Sequence, residues 1–265
     1  MLLLVWSRLG SSLVQPLSPV PILYNYDHCP FCVRVRFALG VKGVKHNLNF
    51  LANDDVLTPT ALVGKKIAPI FEYELDGVKT IMMESLDIID FVDSDARFGP
   101  TKVLKPATDR TDLKAWQKSV QTTLRLLQRP RYVASGLMPE FQQRAGREAF
   151  IFNHQLPPYE KSQWKNTEEV VTNEQKLKLY KDALTSSDNT NLISQLNEKL
   201  VELDDLVHCA DCCSGGGVGM DDVDLWSRLR SITIVKGVVW PLKLRSYMDR
   251  LSELSDVPLY DQMAI

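Results

Sequence analysis

The stretch Tyr26-Asp27-His28-Cys29-Pro30-Phe31-Cys32 decides how the rest of this chain is read. The apolar run Ile22-Leu23-Tyr24 ahead of it has the composition of a strand, and Val33-Arg34-Val35-Arg36-Phe37-Ala38-Leu39 follows it. Proline suits the first position of a helix, where its missing N–H has no intrahelical partner and its fixed φ matches the turn. Pro30 therefore predicts a helix directly behind Cys29, although the Val-Arg-Val-Arg alternation has the period of a strand, and Gly40 or Gly43 ends that helix. Cys29 then faces the unpaired N–H groups and the positive dipole end of the helix, where a thiolate is stabilised. In such C-x-x-C pairs the thiol pKa falls from about 8.5 to roughly 3.5–7.5. Cys29 reads as the nucleophile, and Cys32, one turn on, as the thiol that resolves a mixed disulfide. The same spacing serves as half of a zinc site, but that needs a second ligand pair. The only other cysteines, Cys209, Cys212 and Cys213, lie far along the chain. Redox chemistry is favoured here, and no metal is expected.

The chain of 265 residues is long enough for two domains and a core that needs no disulfide staples. Its net charge of −2, with a pI near 6.1, offers no basic field for nucleic acid. Five cysteines, two of them in a redox-type pair, favour a reducing compartment. No apolar run reaches the roughly 18–20 residues of a membrane helix. Residues 1–20 match neither a signal peptide nor a transit peptide and read as a flexible extension, with an organelle address as the alternative.

From Ile22 to about Ala96 the pattern is mixed α/β. His46–Leu51 is a plausible strand, and Thr58–Val63 a short helix with Thr58 capping and Pro59 at its first position. Residues 69–75 and 78–82 flank Asp76-Gly77, the signature of a two-residue type I′ hairpin. A helix follows from Ser85, with Leu86, Ile89 and Val92 on one face. Gly and Pro mark 98–107 as a linker. Beyond Thr108 every periodic segment is helical. Leu113, Trp116, Val120, Leu124 and Leu127 form one apolar stripe that Pro130 stops. Thr172 with Gln175 is a capping box for a helix to about Ser186. Leu192, Leu196, Leu200, Leu203 and Val207 form another stripe. Asp221 or Asp222 caps a helix that carries Leu225, Trp226, Leu229 and Ile232, and Pro241 opens the last helix. The expected architecture is a domain over 21–97, a linker over 98–107 and an all-helical domain over 108–265.

A strand, a C-x-x-C at a helix start, a later strand opening with Pro69, a hairpin and a further helix make a thioredoxin-like domain. Pro69 resembles the cis-proline that lies beside the active cysteine of such folds, and Glu84-Ser85 resembles the γ-glutamyl-binding pair of glutathione transferases and glutaredoxins. The free N–H groups at that helix start suit a carboxylate, and Glu84 suits the ligand's ammonium. Over about 21–265 the chain resembles the bacterial glutaredoxin 2 family. The resemblance rests on the 26–40 stretch, on Asn53-Asp54-Asp55 with Thr58-Pro59-Thr60, and on Lys65-Lys66-Ile67-Ala68-Pro69-Ile70. It continues in Glu84-Ser85-Leu86-Asp87-Ile88-Ile89, Trp240-Pro241 and the closing Met263-Ala264-Ile265. Three features depart from it: residues 1–20, Ala68 where valine is usual, and His208-Cys209-Ala210-Asp211-Cys212-Cys213. That last segment is read as a surface loop with oxidisable thiols rather than a metal knuckle.

The resemblance implies an α/β plus all-α protein: a thioredoxin-like domain followed by a helical domain of the glutathione-transferase kind. It implies a glutathione-dependent thiol-disulfide oxidoreductase with Cys29 and Cys32 catalytic, and Phe31, Ala68, Pro69, Glu84 and Ser85 binding glutathione. Glutathione is then a co-substrate rather than a bound cofactor, and protein disulfides and glutathionylated proteins are the partners of a cytoplasmic monomer that binds neither nucleic acid nor membrane. The alternatives are a glutathione transferase or dehydroascorbate reductase on the same scaffold, or a non-enzymatic iron–sulfur or interaction module. A transferase would keep Ser or Tyr where this chain has two cysteines, and Pro30 disfavours a cluster at Cys29.

Overall fold

A computed structural model describes residues 17–165 and 171–265. Most of the proposed extension, 1–16, lies outside the described residues. Strand β1, Ile22–Asn25, pairs in parallel with β2, Asn47–Phe50, and antiparallel with β3, Ile70–Leu75. β3 pairs antiparallel with β4, Val78–Met83, giving the sheet order β2-β1-β3-β4. The β3–β4 turn is the expected type: Asp76 and Gly77 both take positive φ, 53° and 76°.

Helix α1, Pro30–Val41, starts at the proline as its position predicts. Its strand-like alternation arises because it is buried on nearly every side. It packs on α3, Ser85–Ser94, and on α9, Met220–Leu229, and α10, Leu242–Ser255, of the helical half. Val33, Val35, Phe37 and Leu39 are core, while Arg34 and Arg36 enter the same layer paired with Asp224 and Asp27. Gly43, at φ 70°, follows the helix end; Gly40 lies inside the helix for another reason. A Cβ on Gly40 would sit 1.7 Å from the Ser255 carbonyl oxygen, so only glycine lets α10 approach.

Helix α2, Leu57–Val63, is anchored differently from expectation: the Asp55 carboxylate accepts the Thr58 N–H at 2.9 Å, and Thr58 is within the helix rather than its cap. In α3 the buried face is Ile88, Ile89 and Val92, whereas Leu86 is exposed. Helix α4, Thr111–Ser135, runs through Pro130 instead of stopping there. The proline costs about 3 kcal/mol in a helix interior. Offsetting contacts come from Leu127 and Tyr132, both buried on either side of it, and from Arg131 Nη1, which donates to the Leu127 carbonyl at 2.8 Å.

Helix α5, Arg144–Asn153, and α6, Lys161–Trp164, follow α4. In α7, Asn173–Thr185, the capping box forms as read, with Thr172 N–H on Gln175 Oε1 at 2.8 Å and Gln175 N–H on Thr172 Oγ1 at 3.2 Å. Helix α8, Asn189–Leu206, buries Leu196, Leu200 and Leu203. At α9 neither aspartate is the N-cap residue; Asp222, inside the first turn, accepts the Gly219 N–H at 2.9 Å. The helix ends at Leu229, and Ile232 lies in the short 3-10 segment Arg230–Ile234 that follows. Among the described residues no helix is long and apolar enough to cross a membrane.

Candidate active site

Cys29 stands at the N-cap of α1, half-buried, with Cys32 one turn inside and fully buried. The Cys29 thiol is lowered to about 6. The hydrogen bond from the Cys32 thiol acts most strongly; burial opposes it, and His28 and the N–H groups of Cys32 and Phe31 add to the lowering. Burial pushes the Cys32 thiol in the other direction, well above its ordinary value. The Tyr26 N–H also donates to Cys32 Sγ at 3.4 Å. One thiol is set to be ionised at neutral pH and its neighbour to keep its proton.

Two cavities open at Cys29. One, about 330 Å³, is lined by Tyr26, Asn53, Lys66, Ile67, Ala68 and residues of α5. The other, about 400 Å³, lies against α4, where Trp116, Val120 and Leu124 face Phe31 and Cys29. Ala68, joined to Pro69 by a cis bond, shares a cavity with Cys29, and Phe31, 48 % exposed, lines the opposite one. Glu84 and Ser85 line neither. They follow β4 directly after the Ile70–Met83 pair, next to Pro69 in the sheet. Ser85 is buried as the first residue of α3, and Glu84, the N-cap residue, makes no side-chain cap. Glu84 takes φ 71°, rare for a side-chain-bearing residue, and its carboxylate points outward, 4.0 Å from Lys65. Such conformations persist where the surroundings dictate them, often at ligand sites.

Sequence reasoning missed the helical half's hold on this turn. Glu140, 1 % exposed, accepts from the His28 N–H at 2.9 Å and meets His28 Nδ1 at 2.6 Å. Its own carbonyl accepts from Asn53 Nδ2 at 3.0 Å. The His28 ring is caged by Tyr132, Phe141 and Phe150. On the other flank, Arg230 and Arg36 hold the Asp27 carboxyl below its ordinary value against the opposing cost of burial. Arg230 Nη1 and the Tyr260 hydroxyl both donate to the Asp27 carbonyl, at 2.8 and 2.7 Å. The two residues directly ahead of the C-x-x-C are thus fixed by the helical half of the chain. Asp27 and His28 next to a redox pair were the only signal available, and their partners have none.

The fold and site define a thioredoxin-like domain joined to a glutathione-transferase-like helical domain, with a thiol pair at the first helix. The family model for the glutathione S-transferase N-terminal domain matches residues 23–101, and that for the glutaredoxin 2 C-terminal domain matches 162–264. The chain is 30% identical over 244 residues to glutaredoxin 2 of Escherichia coli K12, covering 92% of this chain and 99% of that protein. Among solved structures it resembles glutaredoxin 2 of Salmonella typhimurium in complex with glutathione: 29% identity, TM-score 0.74, 93% of this chain and 99% of the other. FzlA of C. crescentus shares the fold at 13% identity and TM-score 0.52, over 89% of this chain and 87% of that one. The chain belongs to the glutaredoxin 2 family.

Proposed function

We propose that this protein is a dithiol glutaredoxin that reduces glutathione mixed disulfides and protein disulfides through Cys29 and Cys32. The observation that carries the reading is the placement of a low-pKa Cys29 at the head of α1, between two cavities, beside a buried, high-pKa Cys32. The Cys29 thiolate attacks a glutathione mixed disulfide, forming Cys29–S–S–glutathione and releasing the substrate thiolate. A second glutathione thiolate then attacks the glutathione sulfur, giving glutathione disulfide and free Cys29. On a protein disulfide Cys29 forms a mixed disulfide with the substrate. Cys32 loses its proton and attacks Cys29 Sγ, displacing the substrate's second thiolate, and two glutathiones reduce the Cys29–Cys32 disulfide and leave as one glutathione disulfide. Glutaredoxin couples lie at roughly −200 to −230 mV, within reach of a glutathione pool.

Glutathione is the co-substrate in this reading. Its γ-glutamyl end sits at the start of α3, with Ser85 and its N–H receiving the carboxylate and Glu84 the ammonium. Ala68 and Pro69 border its cysteinyl backbone, and Phe31 covers the side facing the helical half. The domain boundaries are proposed at 21–97 and 108–265 with 98–107 between them. A monomer acting in a reducing compartment, the cytoplasm, in electron transfer for redox homeostasis, completes the proposal; five cysteines and a net charge of −2 favour it. The test is turnover of a small glutathione mixed disulfide coupled to glutathione reductase and NADPH. Absence of turnover with freshly reduced protein would overturn the reading.

A further inference from the structure

The proposed reaction uses two of the five cysteines. The other three lie in one turn between α8 and α9. They do not form the open surface loop expected, because Cys212 and Cys213 are buried, at 5 % and 0 % exposure, and only Cys209 is half-exposed. The turn is pinched by two rungs: His208 N–H donates to the Cys213 carbonyl at 3.1 Å and Cys209 N–H to the Cys212 carbonyl at 3.0 Å. This brings Cys209 Sγ within 3.6 Å of Cys212 Sγ. A disulfide needs about 2.05 Å, so closing the pair requires the two sulfurs to move closer together. The Asp211 N–H donates to Cys209 Sγ at 3.4 Å.

Cys213 is placed otherwise. Its N–H donates to Asp222 Oδ1 at 2.7 Å and its carbonyl accepts from Arg110 Nη1 at 3.0 Å. Burial first, and then the Asp222 carboxylate, raise its thiol well above the ordinary range. Among the described residues no group of three or more His, Cys, Asp or Glu side chains is placed to hold a metal ion.

We propose that Cys209 and Cys212 form a second, reversible dithiol–disulfide couple, which exchanges with glutathione disulfide independently of Cys29. The Cys209 thiolate attacks glutathione disulfide, forming Cys209–S–S–glutathione and releasing one glutathione thiolate. Cys212 then loses its proton and attacks Cys209 Sγ, releasing the second glutathione. The dithiol gives up two electrons and two protons, and glutathione disulfide becomes two glutathiones. Burial raises the Cys212 thiol to about 11, which suits it to react second, within the adduct. The couple lies on the segment that grips residues 105–108: Lys105 N–H donates to the Val218 carbonyl at 3.1 Å and Thr108 Oγ1 to Asp221 at 2.6 Å. Closing the ring stiffens this grip.

The test equilibrates the full chain in mixtures of glutathione and glutathione disulfide, alkylates it after denaturation and maps the tryptic peptides. Cleavage after Lys199 and Arg228 places Cys209, Cys212 and Cys213 in one fragment, apart from Cys29 and Cys32. With glutathione disulfide in excess, that fragment should become two hydrogens lighter, lose alkylation at Cys209 and Cys212, and keep it at Cys213. Excess glutathione should restore all three. Cys212→Ser should trap one glutathione on Cys209, and Cys209→Ser should give neither adduct nor ring. The Cys29→Ser chain should behave as the unaltered one, so this result is read separately from the turnover assay. Alkylation at all three positions under every mixture would overturn the proposal. So would an adduct on Cys209 that never closes in the unaltered chain, a ring that includes Cys213, or a copurifying metal that shields the thiols at every mixture.

Discussion

The chain contains two C-x-x-C turns, and they differ in what surrounds the sulfurs. At Cys29–Cys32 the second half of the pair is already helix, so the first sulfur receives the N–H groups of Phe31 and Cys32 as well as the Cys32 thiol. At Cys209–Cys212 the turn closes on itself through two backbone rungs, no helix begins at it, and a single N–H reaches Cys209. The first also stands between two cavities, whereas the second is held on a loop. Equal spacing brings two thiols together in both. The helix start and the access are what make the first pair suited to substrates, while the second is suited to equilibrate with a small disulfide.

The strongest break in that comparison is Cys29→Ser. Turnover in the coupled assay should fall to background, with Cys209 and Cys212 intact and unable to substitute. The fold should survive, because serine is a good helix cap; circular dichroism and thermal unfolding check this. Residual turnover that disappears only when Cys209 is also replaced would move the chemistry to the second turn. Next comes Cys32→Ser. It should retain turnover of glutathione mixed disulfides, where free glutathione resolves the adduct, and lose reduction of a protein disulfide. Equal, near-total loss on both substrates is the outcome that would sink this division, since it would mean that the Cys32 thiol's hydrogen bond is what ionises Cys29.

A smaller effect is expected from Glu140→Gln, which keeps the shape at His28 and removes the negative charge. Hydrogen bonds to charged groups contribute about 1.5–3 kcal/mol, and one pKa unit is about 1.4 kcal/mol. Only part of this reaches Cys29, through His28, so its pKa should rise by about one unit from about 6. The rate of alkylation by iodoacetamide rises with pH as the thiolate forms. Its midpoint should move upward, slowing the reaction about tenfold below pH 6, while the rate above pH 8 stays nearly unchanged. A lower plateau with an unmoved midpoint would show that Glu140 only braces the turn. Cys209 sits outside this circuit, and its alkylation profile should not move.

Much of the first turn's setting could be read locally. Pro30 marks the helix start, Asp76-Gly77 sets the hairpin that carries Glu84 back beside Pro69, and Thr172 with Gln175 opens α7. Each is a short-range rule with a definite steric or hydrogen-bond cause. What remained hidden depends on residues far apart in the chain. Glu140 reaches His28 across 112 positions, and Arg230 reaches Asp27 across 203. Nothing near Glu140 distinguishes it from a surface acid. Pro130 was misread for the same reason, since packing on both sides overrides a local stop signal. Of the two glycines that local rules offer as terminators, Gly43 follows the helix end, whereas the task of Gly40 is to admit the Ser255 carbonyl. The second turn hid its burial similarly, because Asp222 and Arg110 draw the turn inward at Cys213 from other elements.

The smallest expected effect separates the two turns by their use of glutathione. Glu84 stands beside Pro69 at positive φ, where its carboxylate is open to solvent. Alanine there would shed both side chain and charge, so Glu84→Gln is the cleaner change: it keeps the length and removes only the charge. A charge-assisted contact with the glutathione ammonium would be worth up to about 3 kcal/mol if enclosed. Exposure and the nearby Lys65 reduce it to about 1 kcal/mol or less. That corresponds to a rise of about fivefold in the KM for glutathione, with kcat and the Cys29 alkylation profile unchanged. Near Cys209 the acids at the start of α9, Asp221 and Asp222, are already engaged by Thr108, Ser214, Cys213 and Gly219, and oxidation there depends on collision with glutathione disulfide alone. Glu84→Gln should therefore leave the rate of Cys209–Cys212 ring closure as it was. An unchanged KM would remove Glu84 from the glutathione site. A slowed ring closure at Cys209 would instead mean that the second couple is oxidised through the first, and the independence of the two turns would fail.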